Sequence, residues 1–126
     1  MKKVYPLTVT DALKECAAFY VELFGFTVVF DQDWYQHLVH ESSGAELGFM
    51  APNMDNQPKE LHPAFGGDGQ VYSFEVDDAG HEYARLSEKP GLEIVLALKD
   101  EPWGQRHFIL RDPAGIFVDI IQPLGG

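Results

Sequence analysis

Trp103-Gly104-Gln105-Arg106-His107-Phe108-Ile109-Leu110-Arg111-Asp112-Pro113-Ala114-Gly115-Ile116-Phe117-Val118-Asp119-Ile120-Ile121 is the stretch on which the fold turns. Two apolar runs flank an Asp-Pro-Ala-Gly turn. Pro113 presets φ at the second turn position, Asp112 accepts bonds from its own backbone, and Gly115 tolerates positive φ. The stretch therefore reads as a hairpin. An acid inside the second apolar run is costly unless something pairs with it. Asp119 is thus either a member of a structural ion pair or a site residue.

Working outward, the residues before this hairpin read as a strand at 70–76, a helix and a strand at 92–98. Asp77-Asp78 caps the helix, which carries Tyr83, Ala84 and Leu86, and Pro90-Gly91 ends it. The second strand of the hairpin spans 116–122. Residues 51–69 have little periodicity and are punctuated by Pro52, Pro58, Pro63, Gly66, Gly67 and Gly69, so they read as a linker or long loop. Upstream of them the same order of elements occurs. A short strand at 4–9 is confined by Pro6 to an edge or an irregular start. Thr10 or Asp11 then caps a helix with Leu13, Ala17, Tyr20, Leu23 and Phe24 at helical spacing, closed by Gly25. Strands follow at 26–31, 34–40 and Ala45–Met50, the last two joined by Glu41-Ser42-Ser43-Gly44. The order strand–helix–three strands is thus written twice. It gives an α+β fold of two βαβββ modules, module one at about 4–50 and module two at about 70–123. Two such modules can place their sheets around a shared concavity with the helices outside.

The chain's 126 residues fit a single domain burying about two-thirds of its unfolded surface. Nine basic against twenty acidic residues give a net charge of −11, which disfavours nucleic acid and anionic membranes as partners; it either favours cationic ligands or is a solvated acidic surface that keeps the chain soluble, the second being the commoner case. A lone cysteine, Cys16, excludes an internal disulfide and a cysteine-based zinc site. No segment has the length and apolarity to span a bilayer, and no N-terminal apolar run follows Lys2-Lys3, so the expected address is cytoplasmic. The absence of GxSxG, P-loop, dinucleotide, HExxH and CxxC patterns removes acyl-enzyme, nucleotide and thiol-redox chemistry.

Phe19-Tyr20 … Leu23-Phe24-Gly25-Phe26, Gly44-Ala45-Glu46-Leu47-Gly48-Phe49, Phe74-Glu75-Val76-Asp77-Asp78 and Asp112-Pro113-Ala114-Gly115 … Asp119, in that order, resemble the vicinal oxygen chelate superfamily. That superfamily includes glyoxalase I, extradiol dioxygenases, fosfomycin resistance enzymes and bleomycin resistance proteins. The resemblance runs from about Val4 to Pro123. It implies paired βαβββ modules, commonly as homodimers, and in the metal enzymes four ligands from the first and last strand of each module. The last-strand positions fall on Glu46 and Asp119. The first-strand positions fall on Val4 or Tyr5 and on Val71. Two of four ligands are therefore absent, and no cofactor is expected. The resemblance then points to the metal-free branch, whose bleomycin resistance proteins bind a drug without transforming it.

Turn lengths give a register. If residues 41–44 close a four-residue hairpin, His37 faces Gly48 and Val39 faces Glu46, so Tyr35, His37, Glu46, Gly48 and Met50 share one face. By the same logic Asp112-Pro113-Ala114-Gly115 pairs Phe108 with Asp119. It also puts Arg106, Phe108, Phe117, Asp119 and Ile121 on one face, with Arg106 diagonal to Asp119. A one-residue slip exchanges Arg106 for His107. Leu47, Phe49, Val118 and Ile120 then pack under the helices.

These faces supply the candidates. Glu46 and His37 form an acid/base couple or an inert hydrogen-bonded pair. Trp34, Tyr35 and Trp103 are lids over a planar or cationic ligand, or anchors of a dimer interface. Met50, Arg106, Phe108 and Asp119 complete the ligand-binding set. A divalent metal on His37, Glu46 and Asp119 is the unconventional alternative. His40, His62 and His81 read as surface residues. Three functions compete: a metal-free binding module of the resistance type; a lyase, isomerase or oxygenase using Glu46 as base; and a scaffold whose cavity is filled by its own side chains.

Overall fold

The computed structural model describes residues 1–125 and contains two compact units, Met1–Gly66 and a second beginning at Gly67. Each unit is one βαβββ module. The first runs β1 (Leu7–Val9), α1 (Leu13–Phe24), β2 (Thr27–Gln32), β3 (Tyr35–His40) and β4 (Ala45–Met50). The second runs β5 (Val71–Glu75), α2 (Ala79–Ser87), β6 (Glu93–Glu101), β7 (Gln105–Arg111) and β8 (Phe117–Pro123). The sheets have the same strand order, β1-β4-β3-β2 and β5-β8-β7-β6, with the first strand of each parallel to the last.

Local chemistry sets the ends of the elements. Pro6 has no N–H to give a ladder, and β1 starts one residue later at the sheet edge. The α1 N-cap is Ala12, not Thr10 or Asp11. Thr10 Oγ1 accepts the Ala12 N–H at 3.0 Å and so turns the chain just before the cap. Gly25 ends α1 in the left-handed conformation at φ 74°, as its position suggests. Asp78 caps α2 by accepting the His81 N–H at 3.0 Å.

In unit one, Leu13, Cys16, Ala17 and Tyr20 of α1 are buried, as are Leu38, Leu47 and Phe49 of the sheet, and the rings of Tyr20 and Phe49 stack at 5.8 Å. In unit two, Ala79 and Leu86 of α2 are buried with Phe108, Leu110, Val118 and Ile120. The four residues expected under the helices, Leu47, Phe49, Val118 and Ile120, are all in these cores. Residues 51–66 are part of unit one, with a 3-10 turn at Lys59–Leu61. Backbone bonds from Ala51 N–H to Trp34 O, from Asn53 N–H to His62 O and from Phe65 N–H to Val9 O fasten them.

The two hairpins differ from each other. In unit one the register is the expected one: His40 opposite Ala45, Val39 opposite Glu46, His37 opposite Gly48. In unit two it is shifted by one. Arg111 pairs with Phe117, Leu110 with Val118 and Ile109 with Asp119, because the loop holds five residues. Asp112 Oδ1 accepts both the Ala114 and Ile116 N–H groups at 2.9 Å, which draws Ile116 out of the strand and into the loop. Phe108 and Arg106 therefore do not share the face of Asp119; His107 does. In the parallel pair of β5 and β8, Val71 lies opposite Phe117 and Ser73 opposite Asp119.

Candidate functional site

The face of the first sheet that turns away from α1 carries a row of hydrogen-bonded side chains. Lys3 Nζ donates to Glu46 Oε1 at 3.0 Å, and His37 Nε2 lies 2.7 Å from the same oxygen. His37 Nδ1 lies 2.9 Å from the Tyr35 hydroxyl. The Glu46 carboxyl is held below the usual carboxylate range, first by the His37 bond and then by Lys3. A carboxylate only accepts, so Nε2 carries the proton facing it. In the neutral imidazole Nδ1 is then an acceptor, and the Tyr35 O–H donates to it. Burial pushes the Tyr35 hydroxyl up, with Tyr5 and Glu46 adding to it, so the phenol keeps its proton. The Tyr5 ring stands edge-on to His37 at 4.6 Å.

Beside this row is an open concavity of about 370 Å³ lined by Tyr5, Leu7, Phe30, Trp34, Tyr35, His37, Met50 and Gln57. A β-bulge builds one wall. The register of β2 against β3 shifts between Val28 and Phe30, so that Phe30 rather than Val29 stands opposite His37. The rings of Phe30, Trp34 and Tyr35 lie 5.7 to 6.0 Å apart, edge-on or tilted. Phe30 and Trp34 remain 44% and 41% exposed, as walls of an unfilled site would be.

Gly48 makes the arrangement sterically possible. A Cβ at that position would overlap the Tyr35 hydroxyl and come within 3.1 Å of its ring carbon Cζ. Gly48→Ala is expected to swing Tyr35 off His37 at a stability cost of only about 1 kcal/mol, because the far end of a side chain yields more easily than backbone. Loss of the hydrogen-bonded Nδ1 signal in imidazole nitrogen NMR, with a urea midpoint close to wild type, is the expected pair of readings. An unchanged signal would show that the contact is looser than drawn.

Unit two repeats the core of this arrangement. His107 stands two positions along from Asp119 across the β7–β8 ladder, as His37 stands two along from Glu46 across β3–β4. His107 Nδ1 lies 2.7 Å from Asp119 Oδ1, and its Nε2 lies 2.9 Å from Glu101 Oε2. The imidazole is bracketed by two acids, with Lys99 at 3.2 Å from Glu101. Arg106 pairs instead with Asp100 on the exposed side, at 2.7 and 3.0 Å, and the expected Arg106–Asp119 pair is not formed. Phe108 is fully buried, edge-on to Tyr83 of α2 at 5.0 Å. Trp103 is 68% exposed in the β6–β7 turn and donates to Gln105.

Within unit one the structure thus gathers Trp34, Tyr35, His37 and Met50 at one concavity with Glu46 behind them; within unit two Asp119 pairs with His107, and Arg106 and Phe108 do not share its face. Sequence reasoning missed Lys3, Tyr5's contact with His37, Phe30, Gln57 and Glu101. Of these only Glu101 left a signal, as an acid just beyond the expected end of β6.

The metal of the family's metal enzymes does not fit these residues. Lys3 places an ammonium against Glu46, where it would oppose a metal cation, and the ring nitrogens of both His37 and His107 are all hydrogen-bonded within the protein. Among the described residues no group of three or more His, Cys, Asp or Glu is disposed to hold a metal ion.

Two βαβββ modules, each with its first strand parallel to its last, make the fold of the vicinal oxygen chelate superfamily. The profile of the Glyoxalase/Bleomycin resistance protein/Dioxygenase superfamily matches residues 5–120, and the chain belongs to that superfamily. Among solved structures it is similar to a glyoxalase/bleomycin resistance protein/dioxygenase from Nocardioides, with TM-score 0.80 and 20% identity over 100% of this chain and 86% of that one. It is similar also to a family enzyme from Burkholderia phytofirmans PsJN, with TM-score 0.79 and 20% identity over 95% and 97% of the two chains. A third is TnmS3, an antibiotic binding protein from Streptomyces sp. CB03234, with TM-score 0.71 and 24% identity over 98% and 97%. Likeness at this identity establishes the fold. No curated protein matched the sequence. Among the described residues no helix is long and apolar enough to cross a membrane.

Proposed function

We propose that the protein binds a small planar aromatic molecule in the concavity of unit one, without the family's metal and without transforming the ligand. The observation that carries this reading is the wall of Phe30, Trp34 and Tyr35 around a space of about 370 Å³, within the usual size of ligand sites. Trp34, Tyr5 and Gln57 are among the lining residues, and no hydrogen bond is made by the Trp34 Nε1, the Tyr5 hydroxyl or the Gln57 carboxamide among the described residues, which leaves polar groups to orient a guest. Similarity to an antibiotic binding protein supports a sequestering role of the resistance type. Ligand charge is secondary at the site, since Lys3 and His37 already answer Glu46, although the net charge of −11 still draws cations from a distance. The reading includes a homodimer and a cytoplasmic address, both carried over from the resemblance and the sequence; light scattering tests the first.

Calorimetric titration with acridine, a planar three-ring probe, is expected to give saturable binding that weakens about tenfold in Trp34→Ala. Absence of binding, or binding indifferent to that substitution, overturns the proposal. The open concavity counts against a filled, vestigial one. One observation favours an enzyme instead: the Tyr35–His37–Glu46 chain is a proton relay in form. Exchange of solvent deuterium into an acidic C–H of a 1,3-dicarbonyl probe, abolished in His37→Gln, would establish that alternative.

A further inference from the structure

We infer that the concavity of unit one selects a ring hydroxyl, or an equivalent hydrogen-bond donor, on its planar ligand, and that the Tyr35 oxygen is the acceptor that reads it. This inference rests on the binding function proposed above and names the ligand chemistry of the same site.

The direction of each hydrogen bond in the row carries the argument. The Glu46 carboxylate takes the His37 Nε2 proton at 2.7 Å, and Lys3 fixes the same oxygen at 3.0 Å. Only Nδ1 of the neutral ring is left to face Tyr35, and it accepts at 2.9 Å. The Tyr35 proton is thereby committed inward. Tyr35 is one of the residues lining the concavity, and its oxygen has lone-pair capacity left with no second hydrogen bond to it among the described residues. The N–H of Gly48, the residue against which the Tyr35 hydroxyl packs, is given to Pro6 O at 2.9 Å. A tyrosine hydroxyl in a ligand site ordinarily offers either role. Here a chain of committed protons removes the donor role, so a guest carrying only an acceptor at this point meets an acceptor. Leaving such a group unpaired is the stronger basis for discrimination, because the penalty falls on the wrong ligand. The aromatic wall holds the guest's ring, and the ring hydroxyl reaches Tyr35.

The test compares 6-hydroxyquinoline with 6-methoxyquinoline, which share a ring system and differ in whether the oxygen can donate. Heteronuclear NMR titrations at about pH 8, above the ordinary imidazole range, give both dissociation constants and locate the site. The hydroxy compound is expected to bind about five- to tenfold tighter to the wild type. In Tyr35→Phe, which keeps the ring and deletes the acceptor, the ratio is expected to fall to about one. Equal affinities for the wild type overturn the inference, as does a preference that survives in Tyr35→Phe, which would be a preference of size. In either case Trp34-dependent acridine binding would leave the binding function standing. Failure of every planar probe removes both.

Discussion

Replacing His107 with alanine is expected to lower the unfolding free energy by roughly 2–3 kcal/mol. The imidazole is 6% exposed and stands between Asp119 and Glu101, whose side chains are 15% and 11% exposed. Removing it leaves two nearly buried acids facing each other across an empty space. The figure stays below that for a fully dry ion pair because both carboxylates keep some contact with water. His107→Gln, which can still donate to one acid, should recover part of the loss. Urea melts of the two variants beside the wild type measure this directly, and a loss under about 0.5 kcal/mol would mean that the acids are relieved by water or by Lys99 alone.

The same cluster fixes the sign of a pH effect. Burial works against a charge on His107, but the bonds to Glu101 and Asp119 outweigh it and hold the imidazole above its ordinary 6.5. Its contribution is complete below that value and is lost as pH rises through the raised one. Glu101 is held below its ordinary 4.5, first by the His107 bond. Its contribution is present above 4.5 and is lost as pH falls through the lowered value. The stability gap between wild type and His107→Ala should therefore be widest between about 4.5 and 6.5 and close on both sides. A gap that widens toward alkaline pH would contradict the assigned proton positions.

The element order was legible because helix and strand periodicities switch at residues that also punctuate the backbone, such as Gly25, Asp78 and Pro90-Gly91. The first hairpin's register was legible because residues 41–44 form a plain four-residue connection whose pairing starts at His40 and Ala45. That register alone brought Tyr35, His37, Glu46, Gly48 and Met50 to one face. The second hairpin has equally clear turn letters, and they misled by one position. Asp112 was recognised as a residue that bonds its own backbone. How far along the chain its carboxylate reaches is a matter of geometry that the letters do not state. Lys3 and Phe30 were invisible for a related reason. A lysine near the start of a chain carries no periodic signal, and a bulge that re-aims Phe30 is a property of the strand pair. Gly48 read as one more small residue, although its missing Cβ is what admits the Tyr35 hydroxyl.

Asp112→Ala is expected to cost about 2–3 kcal/mol, because the loop it organises has no substitute acceptor. The side chain is 4% exposed, and its Oδ1 takes the N–H groups of Ala114 and Ile116 together. Ile116 is itself fully buried, so its amide cannot turn to water once the carboxylate is gone. Asp112→Asn retains an acceptor oxygen and loses only the charge assistance, and it should keep more than half of the stability at stake. Amide hydrogen exchange gives the local reading: Ala114 and Ile116 should lose protection in Asp112→Ala and keep most of it in Asp112→Asn. The consequence reaches beyond the loop. A four-residue turn would bring Ile116 back into the strand opposite Arg111, move Phe108 opposite Asp119 and take His107 off the Asp119 face. The carboxylate of Asp112 thus helps set the register that puts His107 and Asp119 on one face, 2.7 Å apart, although His107 is about 16 Å of strand away at about 3.3 Å per residue. If Asp112→Ala unfolds like wild type with both amides still protected, the backbone bonds from Asp112 N–H to Ile116 O and from Gly115 N–H to Asp112 O suffice to hold the five-residue loop. The register would then belong to the strands, and the pairing of His107 with Asp119 would follow from the packing of Phe108, Leu110, Val118 and Ile120 beneath α2.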